Sequence, residues 1–175
     1  ILGQNFLNTQ VIGEKKYNDW VLELRNPKAN GTVRIPNNFV GKPITLVFEN
    51  LKLAKIDTSG IEKRETPTDP ADFPPVTLTA KQFSYDGANL GHIDFKLNKN
   101  NHGLEIEKLH FSDKDFQIVA HGDWRLINGR NFSEFTVNAS GKELKGLLAR
   151  FNYEVDNVNK GKTEVKIRAS WPGTP

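Results

Sequence analysis

The chain contains no cysteine, which removes disulfides, thiolate nucleophiles and cysteine metal sites from consideration. It contains no methionine either, so Ile1 is expected to follow a processed or excised boundary, and the 175 residues to form a segment of a larger protein. Long hydrophobic runs are missing as well: no stretch approaches the roughly 18 apolar residues that mark a membrane-spanning helix, and no signal peptide is present. Any membrane anchor is expected outside this stretch, with membrane contact made only through the parent protein. Charge of one sign is scarce. Twenty-four Lys and Arg against 21 Asp and Glu leave a net charge of +3, spread along the chain, whereas a nucleic-acid binder concentrates basic residues on one face.

Catalytic motifs are scarce too. There is no G-x-S-x-G, no H-E-x-x-H and no phosphate loop. The four histidines, His92, His102, His110 and His121, have no partner at ligand spacing on a helix, so no metal site is expected. The acid pairs Asp113/Asp115 and Glu105/Glu107 have the spacing of strand or turn residues facing water. These readings lead to a protein that is not an enzyme, with no catalytic residue, no metal and no cofactor.

What the chain does have is alternation. Hydrophobic residues make up 37% and charged residues 26%, enough for a folded domain that buries about two-thirds of its unfolded surface. Apolar residues recur at every second position: Trp20, Leu22 and Leu24; Val33 and Ile35; Ile44, Leu46 and Phe48; Val76, Leu78 and Ala80; Ile93, Phe95 and Leu97; Leu104 and Ile106; Phe116, Ile118 and Ala120; Phe135, Val137 and Ala139; Val165, Ile167, Ala169 and Trp171. This is the period of strands with one apolar and one polar face. In three places the alternation slips by one residue, to Leu51 and Leu53, to Phe83 and Tyr85, and to Leu109 and Phe111, where a bulge or short turn is expected. About ten strands result. The turns "NPKANG", "NKNNHG" and "INGRN" supply the Asn and Gly that positive φ requires, and the hairpins "VLELRNPKANGTVRI" and "IDFKLNKNNHGLEI" resemble one another. The fold class is therefore all-β, mainly antiparallel, in a single β domain over residues 1–175.

Two segments depart from this pattern. Residues 56–75, "IDTSGIEKRETPTDPADFPP", read as a long polar, Pro-rich exposed loop, either a plain connector or the boundary between two halves of a sheet. Residues 141–151 read as one short α-helix, with Leu144, Leu147, Leu148 and Phe151 at i, i+3, i+4 and i+7 and with Ser140 and Glu143 as a capping box. Such a short helix must pack its apolar face on something, and it is expected to lie as a lid over the sheet or to cap the edge of its core.

The apolar strand faces allow two architectures. In one they close a β-sandwich core, giving a binding or scaffold module that contacts glycan or an envelope protein. In the other a single sheet folds over and keeps an apolar groove that a lipid fills. The candidate groove residues are Leu22, Leu24, Val33, Ile35, Leu46, Phe48, Leu78, Ile93, Phe95, Ile106, Phe116, Ile118, Val137, Val165 and Ile167. Charged substitutions at Phe95 or Ile118 separate the readings, since they spare folding in a groove and destroy it in a closed core.

Four stretches carry a family resemblance: "WVLELRNPKANGTVRIP" (20–36), "PITLVFENLKL" (43–53), "GLEIEKLHFSDKDFQIVAHGDWR" (103–125), and "GKELKGLLARFNY" (141–153) followed by "KIRASWPGTP" (166–175). In their order the chain resembles the AsmA-like superfamily of envelope proteins, in particular the C-terminal region of its YhdP-type branch. The resemblance implies a folded-over sheet, or β-taco, with a hydrophobic groove. It also implies a periplasmic segment of a bridge-like lipid-transfer protein, anchored in the inner membrane of a Gram-negative bacterium, that moves phospholipid to or from the outer membrane and maintains the outer-membrane barrier. The implied partners are phospholipid acyl chains, the rest of the parent chain and other envelope proteins. No nucleic acid, cofactor or catalytic residue is implied.

Overall fold

The computed structural model describes residues 6–55, 69–142 and 161–175. Ten strands form one sheet in sequence order. They are β1 (Gln10–Lys16), β2 (Asp19–Arg25), β3 (Ala29–Pro36), β4 (Ile44–Leu53), β5 (Val76–Tyr85), β6 (Ala88–Asn100), β7 (Gly103–Ser112), β8 (Phe116–Ile127), β9 (Arg130–Gly141) and β10 (Thr163–Pro172). Every neighbouring pair is antiparallel except β4 and β5, which run parallel. The all-β expectation holds, and so does the folded-over single sheet. Among the described residues all ten strands belong to the same hydrogen-bonded sheet, and none forms a second one.

The local chemistry explains the meander. Asp86 and Gly87 (φ +50° and +82°) and Asn128 and Gly129 (φ +51° and +73°) turn β5 into β6 and β8 into β9 through two left-handed residues each. Such turns match the twist of the flanking strands. At the β2–β3 turn the Asn26 side chain accepts from the Lys28 amide at 2.7 Å and donates to the Leu7 carbonyl at 2.8 Å, so one buried amide fixes the turn and ties down the approach to β1.

The three slips in the alternation are real irregularities of register. β5 shifts against β6 between Ala80 and Phe83, and β7 shifts against β8 between Ile106 and Leu109. β4 carries both Phe48 and Leu51 inward, paired with Ala80 and Phe83 of β5. A fourth irregularity sits at Gly91 (φ +72°), after which the inward residues change parity, so that Leu90 and Ile93 are both buried. Each shift restores the inward direction of apolar side chains that a straight strand would turn outward.

The parallel β4–β5 pair requires a crossover between the end of one strand and the start of the next. Residues 54–75 supply it. Its described end makes specific contacts. Asp69 caps a 3-10 turn at Pro70–Asp72 by accepting from the Ala71 amide at 2.8 Å, Pro70 is buried, and Lys99 Nζ donates to the Ala71 carbonyl at 2.5 Å. Phe73 then packs on Trp124, ring centroids 5.3 Å apart. The expected helix at 141–151, with Leu144, Leu147, Leu148 and Phe151, lies almost wholly outside the described residues. Ser140, expected as its N-cap, is a strand residue opposite Gln117 and Glu164, and Gly141 pairs with Phe116 and Thr163. The strand ladder runs through both positions, so β9 extends to Gly141.

Glycines let large side chains lie flat on the sheet. A Cβ on Gly31 would stand 2.2 Å from the Val47 carbonyl oxygen and 2.6 Å from the Phe48 ring, and one on Gly122 would stand 2.3 Å from the Glu134 carbonyl oxygen and 2.6 Å from the Phe135 ring. Strand propensity alone favours valine over glycine by up to about 1 kcal/mol. The overlap reverses that sign. Gly31→Val and Gly122→Val are each expected to lower stability by about 2 kcal/mol, read from urea unfolding followed by circular dichroism. A stabilised variant would show that neither ring needs the space.

Candidate functional site: the apolar face of the sheet

Cross-strand register assembles the apolar residues into rows. One row runs Val11, Leu24, Gly31, Phe48, Ala80, Ile93, Phe111, Ile118, Ala139 and Val165, one residue from every strand. The next runs Gly13, Leu22, Val33, Leu46, Leu78, Phe95, Leu109, Ala120, Val137 and Ile167. Neither row contains a polar side chain. At about 4.8 Å per strand they extend for about 43 Å along the hydrogen-bonding direction. A third row takes in Trp20, Ile35, Ile44, Val76, Leu97, Ile106, Gly122, Phe135 and Ala169.

All fifteen residues singled out from the sequence lie on this one face. Leu24, Phe48, Ile93, Ile118 and Val165 are in the first row. Leu22, Val33, Leu46, Leu78, Phe95, Val137 and Ile167 are in the second, Ile35 and Ile106 are in the third, and Phe116 is two residues from Ile118 on the same side. Leu51, Ile44, Val76, Phe83, Leu97, Leu109 and Phe111 share the face without being among those fifteen, although the alternation and its slips mark every one of them. Leu90 also turns inward; its direction depends on the left-handed Gly91 and is invisible to a period-two count.

The face is not uniform from rim to rim. At the rim formed by the β2–β3, β5–β6 and β7–β8 turns it is closed: Leu24, Leu51, Phe83, Leu90 and Phe116 are all buried, Phe6 packs against this cluster, and the Phe83 and Phe111 rings stack at 5.6 Å. Toward the opposite rim, where the β1–β2, β6–β7 and β8–β9 turns lie, Ile35, Ile44, Val76, Leu97, Ile106 and Phe135 are half-buried and Trp20 is 47% exposed. The 3-10 turn and Phe73 lie against the β7–β8 part of this rim, where Leu104 is buried. Exposure also rises toward the two edge strands, with Val11 at 54% and Ile167 at 53%. The face is therefore a core at one rim and an accessible apolar surface at the other.

The family model described as YhdP protein matches residues 1–175. The chain belongs to the YhdP family. It is thus an AsmA-like protein of the bacterial envelope. No curated protein and no solved structure matches it.

The remaining tryptophans of this YhdP-family chain are built into the sheet. Trp124 Nε1 donates to Asn131 Oδ1 at 2.8 Å. Trp171, in the terminal "SWPG", stacks on Phe135 at 5.4 Å and donates through Nε1 to the Thr174 carbonyl at 3.0 Å. Ser133 lies between the two tryptophans in register and is fully buried, its hydroxyl satisfied by the Gly173 carbonyl at 2.9 Å. The Trp124 bond ties β8 to β9, and the Trp171 and Ser133 contacts fasten the end of β10, an edge strand, to β9.

The outer face is polar and laced with cross-strand ion pairs. Lys96 meets Glu107 at 2.8 Å, Lys81 meets Glu49 at 2.9 Å, and Lys108 meets Asp94. Glu134 is bound by Arg168 at 2.5 Å and by Arg125 at 3.4 Å, and hydrogen bonding to Arg168, then its charge, holds the Glu134 carboxyl below the usual carboxylate range. Glu107 is lowered in the same way, first by its hydrogen bond from Lys96. Exposed pairs of this kind contribute little stability and are screened by salt, but they keep the outer face wet and the apolar face turned inward. Among the described residues no group of three His, Cys, Asp or Glu is placed to hold a metal ion.

The rim-to-rim difference separates two of the sequence candidates. Ile118 is 9% exposed within the packed cluster, so Ile118→Asp is expected to abolish the cooperative thermal transition, because an unpaired carboxylate in that cluster is too costly to bury. Ile167→Asp, on the exposed edge of the same face, is expected to cost less than about 1 kcal/mol. Equal losses from the two variants would show a face buried evenly to its edge.

Proposed function

We propose that this YhdP-family segment binds phospholipid acyl chains on the apolar face of its sheet. In this reading it is a periplasmic part of a protein anchored in the inner membrane through the rest of its chain. It passes phospholipid between the inner and outer membranes and so maintains the outer-membrane barrier. The observation that carries the reading is the pair of rows that cross all ten strands without one polar side chain, beside a third row that stays accessible.

The physics suits lipid handling without catalysis. Each methylene taken from water gains about 0.8 kcal/mol, so an acyl chain needs only apolar surface to be held. Because the half-buried second row and the third row beside it carry apolar residues on every strand from β2 to β10, a chain lying along them meets no polar barrier as it moves along the hydrogen-bonding direction, and many small equal contacts favour sliding over fixed binding. A headgroup remains at the accessible rim, in water. No cofactor, metal or catalytic side chain has a part in such transport.

Native mass spectrometry of the chain purified from bacterial membranes tests this. Phospholipid adducts are expected on the wild type. Val76→Asp and Leu97→Asp, in the half-buried third row, are expected to lower lipid occupancy by about tenfold or more while the far-ultraviolet circular dichroism spectrum is kept. Thr79→Asp, in β5 on the polar face, is the control and is expected to retain lipid. A wild type free of lipid, or occupancy unchanged in both third-row variants, would overturn the reading.

A further inference from the structure

The same rim at which the apolar face is accessible carries exposed aromatic side chains that the fold does not need. Asp19 pairs with Pro36, so the β1–β2 turn and the 37–43 loop leave the sheet side by side. Tyr17 at the tip of that turn is 100% exposed, and Val40 in the loop is 83% exposed, with Phe39 beside it. Trp20 follows at the edge of the face.

Tyr17 is the informative residue. Its φ is +56°, a left-handed conformation that costs a bulky side chain more than it costs Asn, Asp or Gly. The two comparable hairpins of this sheet place Asp86-Gly87 and Asn128-Gly129 at such positions. A tyrosine there gains no packing in return, since its side chain lies wholly in water. Local strain with no stabilising contact points to a role outside the fold. Phe39 and Val40, with ordinary backbone angles, add a short apolar step in the neighbouring loop, whose chain reverses at Gly41 (φ +66°).

Lys15 and Lys42 flank these apolar tips, and neither takes part in an ion pair among the described residues. Aromatic side chains beside lysines suit the boundary between lipid headgroups and acyl chains, where the ring is half in hydrocarbon and the ammonium meets anionic headgroups.

We infer that this rim is a membrane-docking surface: Tyr17, Trp20, Phe39 and Val40 enter the interface of an anionic phospholipid bilayer, and Lys15 and Lys42 pair with its headgroups. The inference rests on the reading of the apolar face as an acyl-chain surface, and it adds a route: lipid enters sideways, over the half-buried row behind Trp20. It departs from the sequence expectation that membrane contact belongs to the parent protein alone. The contact is shallow, through loop tips, and its strength depends on salt.

Co-sedimentation of the 175-residue chain with vesicles of phosphatidylcholine alone, or with about a third phosphatidylglycerol, tests it. The wild type is expected to bind the anionic vesicles more strongly and to lose that preference at high salt. The triple variant Tyr17→Ser, Phe39→Ser, Val40→Ser is expected to lower partitioning about tenfold or more, with its circular dichroism spectrum unchanged. The double variant Lys15→Glu, Lys42→Glu is expected to remove the anionic preference alone. No binding by the wild type, or unchanged binding by the folded triple variant, overturns the docking surface; capture of a protein partner through these tips without vesicle binding does so too. Lipid occupancy measured on the same samples keeps the two ideas apart. A chain that carries lipid but ignores vesicles refutes docking only, and one that docks without carrying lipid refutes the acyl-chain reading only.

Discussion

An apolar sheet face extending over ten strands cannot be left flat in water, and among the described residues this chain has no second sheet to lay against it. At about 25 cal/mol per Å² the exposure would cost more than a domain's whole net stability. The sheet folds over instead, and the other features of the structure follow from that constraint. Gly31 and Gly122 remove side chains where the Phe48 and Phe135 rings must lie down. The ion pairs around Glu134, Glu107 and Asp94 keep the opposite face in water. The cluster of Phe83, Leu90 and Phe116 closes one rim, while the row of Ile44, Val76 and Leu97 stays accessible at the other.

Holding so many residues on one face demands control of register, because a one-residue slip turns a whole strand inside out. The irregularities act as corrections to that problem. The shift between Ala80 and Phe83 in β5 is matched by Phe48 and Leu51 in β4, so both strands change parity together and their inward pairs stay opposite one another. Gly91 performs the same correction for Leu90 and Ile93, and only glycine fits there: its φ is +72°, and a Cβ would stand 2.3 Å from the Ser112 carbonyl oxygen. Bulges are thus part of what makes the face continuous, and continuity is the property that lipid movement along it requires.

Much of this was legible in the sequence, because a half-buried antiparallel strand writes its burial directly as alternation. The groove candidates from Leu22 to Ile167 share one face for that reason, and the slips at Leu51, Phe83 and Leu109 were visible as breaks in phase. Two features were not. The parallel pairing of β4 with β5 needs a crossover, and no local pattern records one. The inward direction of Leu90 depends on a backbone angle at Gly91. The difference between the two rims was not legible either, since alternation tells which face is apolar and says nothing of how far it is covered.

The face is closed at one rim and accessible at the other, and thiol labelling measures this directly. The chain has no cysteine, so each introduced thiol is the sole reactive one. Ile44→Cys and Leu97→Cys probe the accessible rim, and Phe83→Cys and Leu90→Cys the closed one. Under native conditions the first pair is expected to react with a maleimide at least about tenfold faster than the second. Equal protection of all four positions would mean that a further layer covers the face, and equal, rapid reaction would mean that the sheet does not close at all; either result would contradict the account.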